Sequence, residues 1–397
     1  MTVTTPIVEE LTAGPLAARL PLLLDVAADI HAHPEIRFTE VHAAERLTQE
    51  LEGLGFEVQR GFADLPTAFT GRWQTPDADD TTPTIAIFCE YDALEGIGHA
   101  CGHNIIAASG LGAAALVKDS LEANPGTPAK LLVIGSPGEE GAAGKVPMIE
   151  GGVLEGVDLA MMIHPSGQND ADFDSLARVA LDVDFTGRAS HAAASPEDGI
   201  NALDASTLAL TAIGLLRQQI QSDARIHTIV VDGGQAPNII PEHTSLRCFV
   251  RAQDREYLLG TLVPKVEKCF EGAALATGCE VTIAQNTPAY LAMISNPVLV
   301  DLAAEAFAAV GREIDPEAGP GGSTDMGNVS YEVPSLHPMI SLVDGISNHT
   351  REFTAAAGGQ EAEATIADGA VVLAATALAA FRDPRLVAAA KDAFENR

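Results

Sequence analysis

The rhythm of apolar and polar positions changes twice along this chain. Residues 16–31 and 40–54 carry apolar side chains at helical spacing, and the second run ends in a Gly-Leu-Gly turn before the strand-like "FEVQR". After a polar turn at 75–83, "TIAIFCE" (84–90) is a short unbroken apolar run with β-branched residues, which predicts a buried strand. "AKLLVIGS" (129–136) and "VDLAMMI" (157–163) repeat that texture. "IIAASGLGAAALVKDSL" (105–121) predicts a buried helix. Strands alternating with helices predict an α/β fold, a mainly parallel sheet with helices on both faces.

Near residue 177 the period changes to two. "VALDVDFTG" (179–187) alternates, so one of its faces is wet. A helix at roughly 199–221, the strands "IHTIVVDG" and "TSLRCFVRA", a helix at about 254–277 and the strand "CEVTIAQN" complete a ferredoxin-like β-α-β-β-α-β unit. After about 290 the first texture returns, with a helix at 296–310, the apolar "HPMISLVDG" and a closing Ala-rich helix from about 360. The expected organisation is a large domain formed by 1–177 and 290–397, with a smaller domain, 178–289, inserted into it. A chain of 397 residues is long enough for two cores.

Composition narrows the partners. With 55 acidic against 23 basic residues the net charge is −32, so a nucleic-acid partner is not expected. No apolar run reaches the ~20 residues of a membrane span, and the polar, acidic start lacks the pattern of a signal peptide. The expectation is a cytoplasmic protein with no membrane partner. Five cysteines at irregular spacing, without CxxC, do not read as a disulfide framework. Cys89, Cys248, Cys269 and Cys279 read as small buried residues. Cys101 stands apart because His99 and His103 flank it in "GHACGHN".

In an open parallel sheet, ligands gather outside the carboxyl ends of the strands. "TIAIFCE" leads to "YDALEGIGHACGHN", "LLVIGS" to Glu139 and Glu140, "VDLAMMI" to His164, and "HPMISLVDG" to His349. Thiol, imidazole and carboxylate together suit zinc, and imidazole with carboxylate also suits manganese or cobalt. Five ligands exceed one open tetrahedral site and suit two ions sharing a water. The pair Glu139–Glu140 can then divide between holding metal and serving as general base. His99 reads as a turn bridge. His31 and His33 in "HAHPE" read as helix-end histidines before a proline, and His42, His227, His243 and His337 carry no expected role. A cysteine nucleophile using Cys101 with His103 or His99 is the competing chemistry, and it leaves Glu140, His164 and His349 without a purpose. A non-catalytic peptide-binding subunit is the competing class.

The ordered stretches "HAHPE", "EYDAL", "GHACGHN", "PGEEG", "GRASHAAASPEDGINALDA", "APNIIPE" and "GSTDMGNVS…HT" resemble one family across nearly the whole chain. It is the dinuclear metallohydrolase family of aminoacylases, auxin-conjugate hydrolases and glutamate carboxypeptidases. The match is nearest to its p-aminobenzoyl-glutamate hydrolase and dipeptidase branch, because Asn104 stands where most such amidohydrolases carry Asp in "CGHD". The resemblance implies a metal-dependent hydrolase of N-acyl amino acids, aminobenzoyl-glutamate-type conjugates or small dipeptides, with two divalent ions per chain. It implies Cys101, His103, Glu140, His164 and His349 as metal ligands, Cys101 being a possible bridge. Glu139 would be general base and acid, and Asp92 would orient a metal-bound histidine. His191 would stabilise the oxyanion from a partner protomer, making the inserted domain a lid and homodimer interface. Asn238, Arg251, Gly322 and Ser323 would hold the substrate, Arg251 through a carboxylate.

Overall fold

The computed structural model describes residues 3–316 and 321–397. Its strands in chain order are β1 (Glu57–Phe62), β2 (Leu65–Gln74), β3 (Thr84–Cys89), β4 (Lys130–Gly135), β5 (Leu159–Met161), β6 (His164–Ser166), β7 (Ala177–Thr186), β8 (Arg225–Asp232), β9 (His243–Ala252), β10 (Glu280–Gln285), β11 (Ser335–Leu336) and β12 (Met339–Ser341). The chain divides into two compact units. One comprises residues 1–174, 293–321 and 325–397, and the other 175–292 with 322–324.

In the first unit a six-stranded sheet runs β1-β2-β4-β3-β5-β11. β4, β3, β5 and β11 are parallel, while β1 and β2 add an antiparallel edge. The parallel strands are apolar on both faces because both are covered: Ile85, Ile87, Leu131 and Val133 join one core cluster, Ala86, Phe88, Leu132 and Ile134 another. Helix His103–Ala123 packs under the sheet almost wholly buried. Its Gly112 lets Ala370 of helix Glu361–Arg382 approach, since an added Cβ would stand 2.9 Å from the Ala370 methyl. Helix Glu361–Arg382 is long and apolar enough to cross a membrane by composition alone, yet 89% of its most apolar window is buried inside the fold. A small parallel pair, β6 with β12, continues the carboxyl edge.

The second unit is a four-stranded antiparallel sheet in the order β10-β7-β9-β8, with helices Ala202–Leu216 and Val263–Thr277 supplying its core. That order is the ferredoxin-like arrangement of a β-α-β-β-α-β chain. Two expected elements differ in extent. The helix read at 199–221 is α-helical only over Ala202–Leu216 and ends in a short 3-10 turn. The closing helix breaks at Asp383–Pro384, where proline starts a second one, Pro384–Glu395. Cys269 and Cys279, expected to be buried, are half-buried.

Candidate metal centre

The carboxyl ends of β3, β4, β5 and β12 bring separate stretches of chain to one place. β3 leads through Glu90 and Asp92 into the turn before helix His103–Ala123. Gly102 makes that turn possible. Its φ is +77°, and a Cβ there would stand 2.5 Å from Pro165 Cγ, so only glycine lets Cys101 and His103 press against the strand that starts at His164. Cys101 Sγ lies 3.5 Å from His164 Nε2. β4 leads to Gly138, at φ +68°, and then to Glu139 and Glu140. His349 follows β12 with φ +65°, a left-handed conformation uncommon for a non-glycine residue. Its backbone N–H donates to Ala100 O at 2.8 Å, which ties it to the cysteine turn.

The ligand atoms of Cys101, His103 and His164 lie within 4.8 Å of one another, as do those of Cys101, Glu140 and His349 and those of His103, Glu139 and Glu140. Hydrogen bonds orient them. His103 Nδ1 pairs with Asp92 Oδ1 at 3.0 Å, and the backbone N–H of Glu140 donates to Asp92 Oδ2 at 2.9 Å, so one carboxylate holds two of the group. His164 Nδ1 lies 2.7 Å from Pro165 O, which places its proton there and leaves Nε2 a lone pair toward Cys101. His349 Nε2 is 3.3 Å from Glu140 Oε1.

These residues fit a divalent metal pair. Among the described residues, His103 Nε2 and Glu90 Oε2 are buried without a hydrogen-bond partner. An orphaned imidazole nitrogen amid a thiol, two further imidazoles and two carboxylates is the donor chemistry that zinc, manganese or cobalt takes. Burial, followed by the charges of Glu90 and Glu140, pushes the Glu139 carboxyl well up. Burial, then the Glu140 charge, pushes the Cys101 thiol well up. Burial and the neighbouring His103 bring His164 down to about 4, so it is neutral and able to ligate.

The other expected site residues lie in the second unit. His191 is exposed, and its Nδ1 accepts from the backbone N–H groups of Ala193 and Ala194 at 3.2 Å, leaving Nε2 as the donor. Asn238 sits beside it, its carbonyl accepting from Ala192 N at 3.0 Å. Arg251 faces Arg178 across the β7–β9 register, and both guanidinium groups stack on Phe249. Gly322 and Ser323 lie on the short stretch that belongs to this unit, with Gly322 O accepting from Leu176 N. Asn104 donates through Nδ2 to the carbonyls of Ala357 and Ala27, at 2.9 and 3.3 Å, which an ionised aspartate could not do. His99 Nε2 bridges to Ile30 O at 3.1 Å. On the outer surface Asp29, His33 and His42 cluster, but Arg46 already holds the Asp29 carboxylate at 3.2 Å.

Apart from Asp92, sequence reasoning missed the buried polar residues that support the centre. Glu40 accepts from the backbone N–H of Phe38 and of Gly138, and from the Thr67 hydroxyl. Lys145 is fully buried between Glu90 and Asp325. His337 is fully buried, edge-on to His164 at 5.7 Å between ring centroids. The only signal for Lys145 was a lone basic residue closing the acidic "GEEGAAGK" loop.

The model of peptidase family M20/M25/M40 matches residues 80–379. The Xaa-Arg dipeptidase of Mus musculus is 40% identical over 377 residues, covering 92% of this chain and 87% of that protein. The chain belongs to peptidase family M20/M25/M40. One of the polypeptides of the Escherichia coli p-aminobenzoyl-glutamate hydrolase is 35% identical to this M20 chain over 272 residues, 64% of this chain and 55% of that protein. The M20 fold is also seen in a solved aminobenzoyl-glutamate utilization protein from Klebsiella pneumoniae, with TM-score 0.69 and 22% identity over 93% of this chain and 97% of that one. A dinuclear metal binding peptidase of the M20 family from Bacillus subtilis gives TM-score 0.67 and 23% identity, over 91% and 99%.

Proposed function

We propose that this chain is a metal-dependent hydrolase of a small amide, with a short dipeptide as the favoured substrate class. The observation that carries the reading is the convergence of Cys101, His103, Glu140, His164 and His349, with Glu139 beside them, from four separate strand ends. Near full-length similarity to a mouse dipeptidase supports the dipeptide over N-acyl amino acids and aminobenzoyl conjugates.

Those five residues would hold two divalent ions, with zinc, manganese or cobalt as the metal. Bound there, the metal would lower the pKa of a water to about 7 and polarise the amide carbonyl. Glu139 takes the proton released when water adds to the carbonyl, and returns it to the leaving amine as the C–N bond breaks. Asp92 keeps the His103 ring and the Glu140 backbone in register throughout. His191, reaching in from a partner protomer, would donate to the oxyanion through Nε2, a contact worth roughly 3–4 kcal/mol in the transition state. Arg251 takes the substrate carboxylate, with Asn238, Gly322 and Ser323 supplying polar contacts. Leu215, Ile229 and Val231, exposed at 71%, 62% and 57%, support a homodimer formed through the second unit. Five unpaired cysteines are in keeping with a reducing, cytoplasmic setting.

The test is metal content per chain for wild type and Cys101→Ala, reloaded with zinc or manganese, followed by a panel of dipeptides, N-acyl amino acids and aminobenzoyl-glutamate. Two ions in the wild type, fewer in the variant, and cleavage within the panel are expected. Failure to take up metal would overturn the reading.

A further inference from the structure

The loop that carries Glu139 and Glu140 is wound tightly and then fastened. Gly144 N donates to Gly138 O at 3.3 Å, closing the loop on itself, and a Cβ on Gly144 would overlap Pro137 O. Ala143 is held at φ +55°. The next residue, Lys145, opens helix Lys145–Glu150. Its backbone N–H donates to Asp325 Oδ2 at 3.0 Å, its Nζ to Asp325 Oδ1 at 2.6 Å, and the same Nζ donates to Glu90 Oε1. All three side chains have no solvent exposure.

Each end of this triad is anchored. Glu90 follows directly on β3, and its other oxygen, Oε2, is 3.6 Å from His103 Nε2. Asp325 stands at the start of helix Met326–Glu332. A buried ion triad is a poor source of stability, since taking three charges out of water is costly and apolar replacements of similar volume are often as stable. Its placement has another use. It joins the loop bearing the two glutamates to the strand end that supports His103, through bonds that leave little freedom.

We propose that Lys145, clamped between Glu90 and Asp325, is a positioning residue that fixes the loop carrying Glu139 and Glu140 relative to His103. The inference rests on the hydrolase reading of those residues. Lys145 does not touch the reacting atoms; it acts through the loop.

The variants Lys145→Met and the charge-free triple K145M/E90Q/D325N test this in the full-length chain. Manganese is titrated calorimetrically into the metal-free proteins, and kcat and KM are measured after loading. Both variants are expected to bind manganese about 10- to 100-fold more weakly at the step that needs Glu140, as for loss of a residue supporting a ligand. The kcat should fall by a similar factor while KM changes less than about threefold, because a displaced base costs rate before binding. The triple variant should fold, since no uncompensated charge remains in it. A folded triple variant with wild-type metal titration and wild-type kcat overturns the proposal. So does failure of both variants to fold, which would make the triad a folding element. If the wild type cleaves nothing in the amide panel, the hydrolase reading fails, while the manganese titrations still decide what Lys145 does.

Discussion

Glu40 gives a quantitative test of how the centre is supported. Its carboxylate has no solvent exposure, and among the described residues no cation pairs with it. It is held by two backbone N–H groups, of Phe38 at 2.8 Å and Gly138 at 2.9 Å, and by the Thr67 hydroxyl at 3.0 Å. Burial, reinforced by the Asp92 charge, raises its pKa from 4.5 to about 7. Between those values the unfolded chain has released the proton and the folded one retains it. Folding therefore takes up a proton in that window, and stability falls as pH rises through it, levelling off above about 7. The rise from 4.5 to about 7 is worth about 3 kcal/mol. Glu40→Gln removes the titration and keeps the shape. Its amide oxygen can accept from Phe38 and Gly138, and its amide nitrogen can donate to a rotated Thr67 hydroxyl. In metal-free protein the variant should match the wild type near pH 4 and exceed it by about 3 kcal/mol near pH 8. At about 2 °C per kcal/mol for a unit of this size, that is a difference of about 6 °C in melting temperature. Circular dichroism melts at the two pH values decide it. A variant less stable at the higher pH, or a difference independent of pH, would refute the reasoning.

Glu139→Gln should keep its metal and lose turnover by at least about a hundredfold, measured by metal analysis and free-amine release; normal turnover would remove Glu139 as the base. His191→Ala should lower kcat by two to three orders of magnitude, with KM changing far less; an unchanged kcat would end the oxyanion role. Gly102→Ala meets Pro165 Cγ at 2.5 Å in a left-handed conformation, so it should cost about 2 kcal/mol or more and reduce metal uptake. A well-folded variant that loads metal normally would show that the turn has slack.

How much of this was legible depended on which force shaped each element. β3 and β4 were readable because a strand covered on both faces has little choice but a continuous apolar run. β2, Leu65–Gln74, was not, because Pro66 and Gly71 interrupt its pattern and its place as an antiparallel neighbour of β4 is set by tertiary pairing. Helix Thr5–Thr12 is short, and only three of its residues are buried. At the centre, the strand-end rule led to Cys101, His103, Glu139, Glu140, His164 and His349, and the fold gathers those side chains. Of the supporting carboxylates, Asp92 was named through the resemblance, while Glu40, Glu90 and Asp325 were invisible for a physical reason. A buried charge is intelligible only beside its partner, and the partner of Lys145, Asp325, is 180 residues away.

The left-handed His349 joins the candidate centre only after the whole second unit has been synthesised, because that unit is inserted between His164 and the segment that returns to β11 and β12. Ribosome-bound chains thus emerge with Cys101, His103, Glu140 and His164 already made but with the last donor missing. Long-range closures of this kind are slow steps in folding. If the proposed metal reading holds, capture of a full complement of ions by the nascent chain awaits the C-terminal segment.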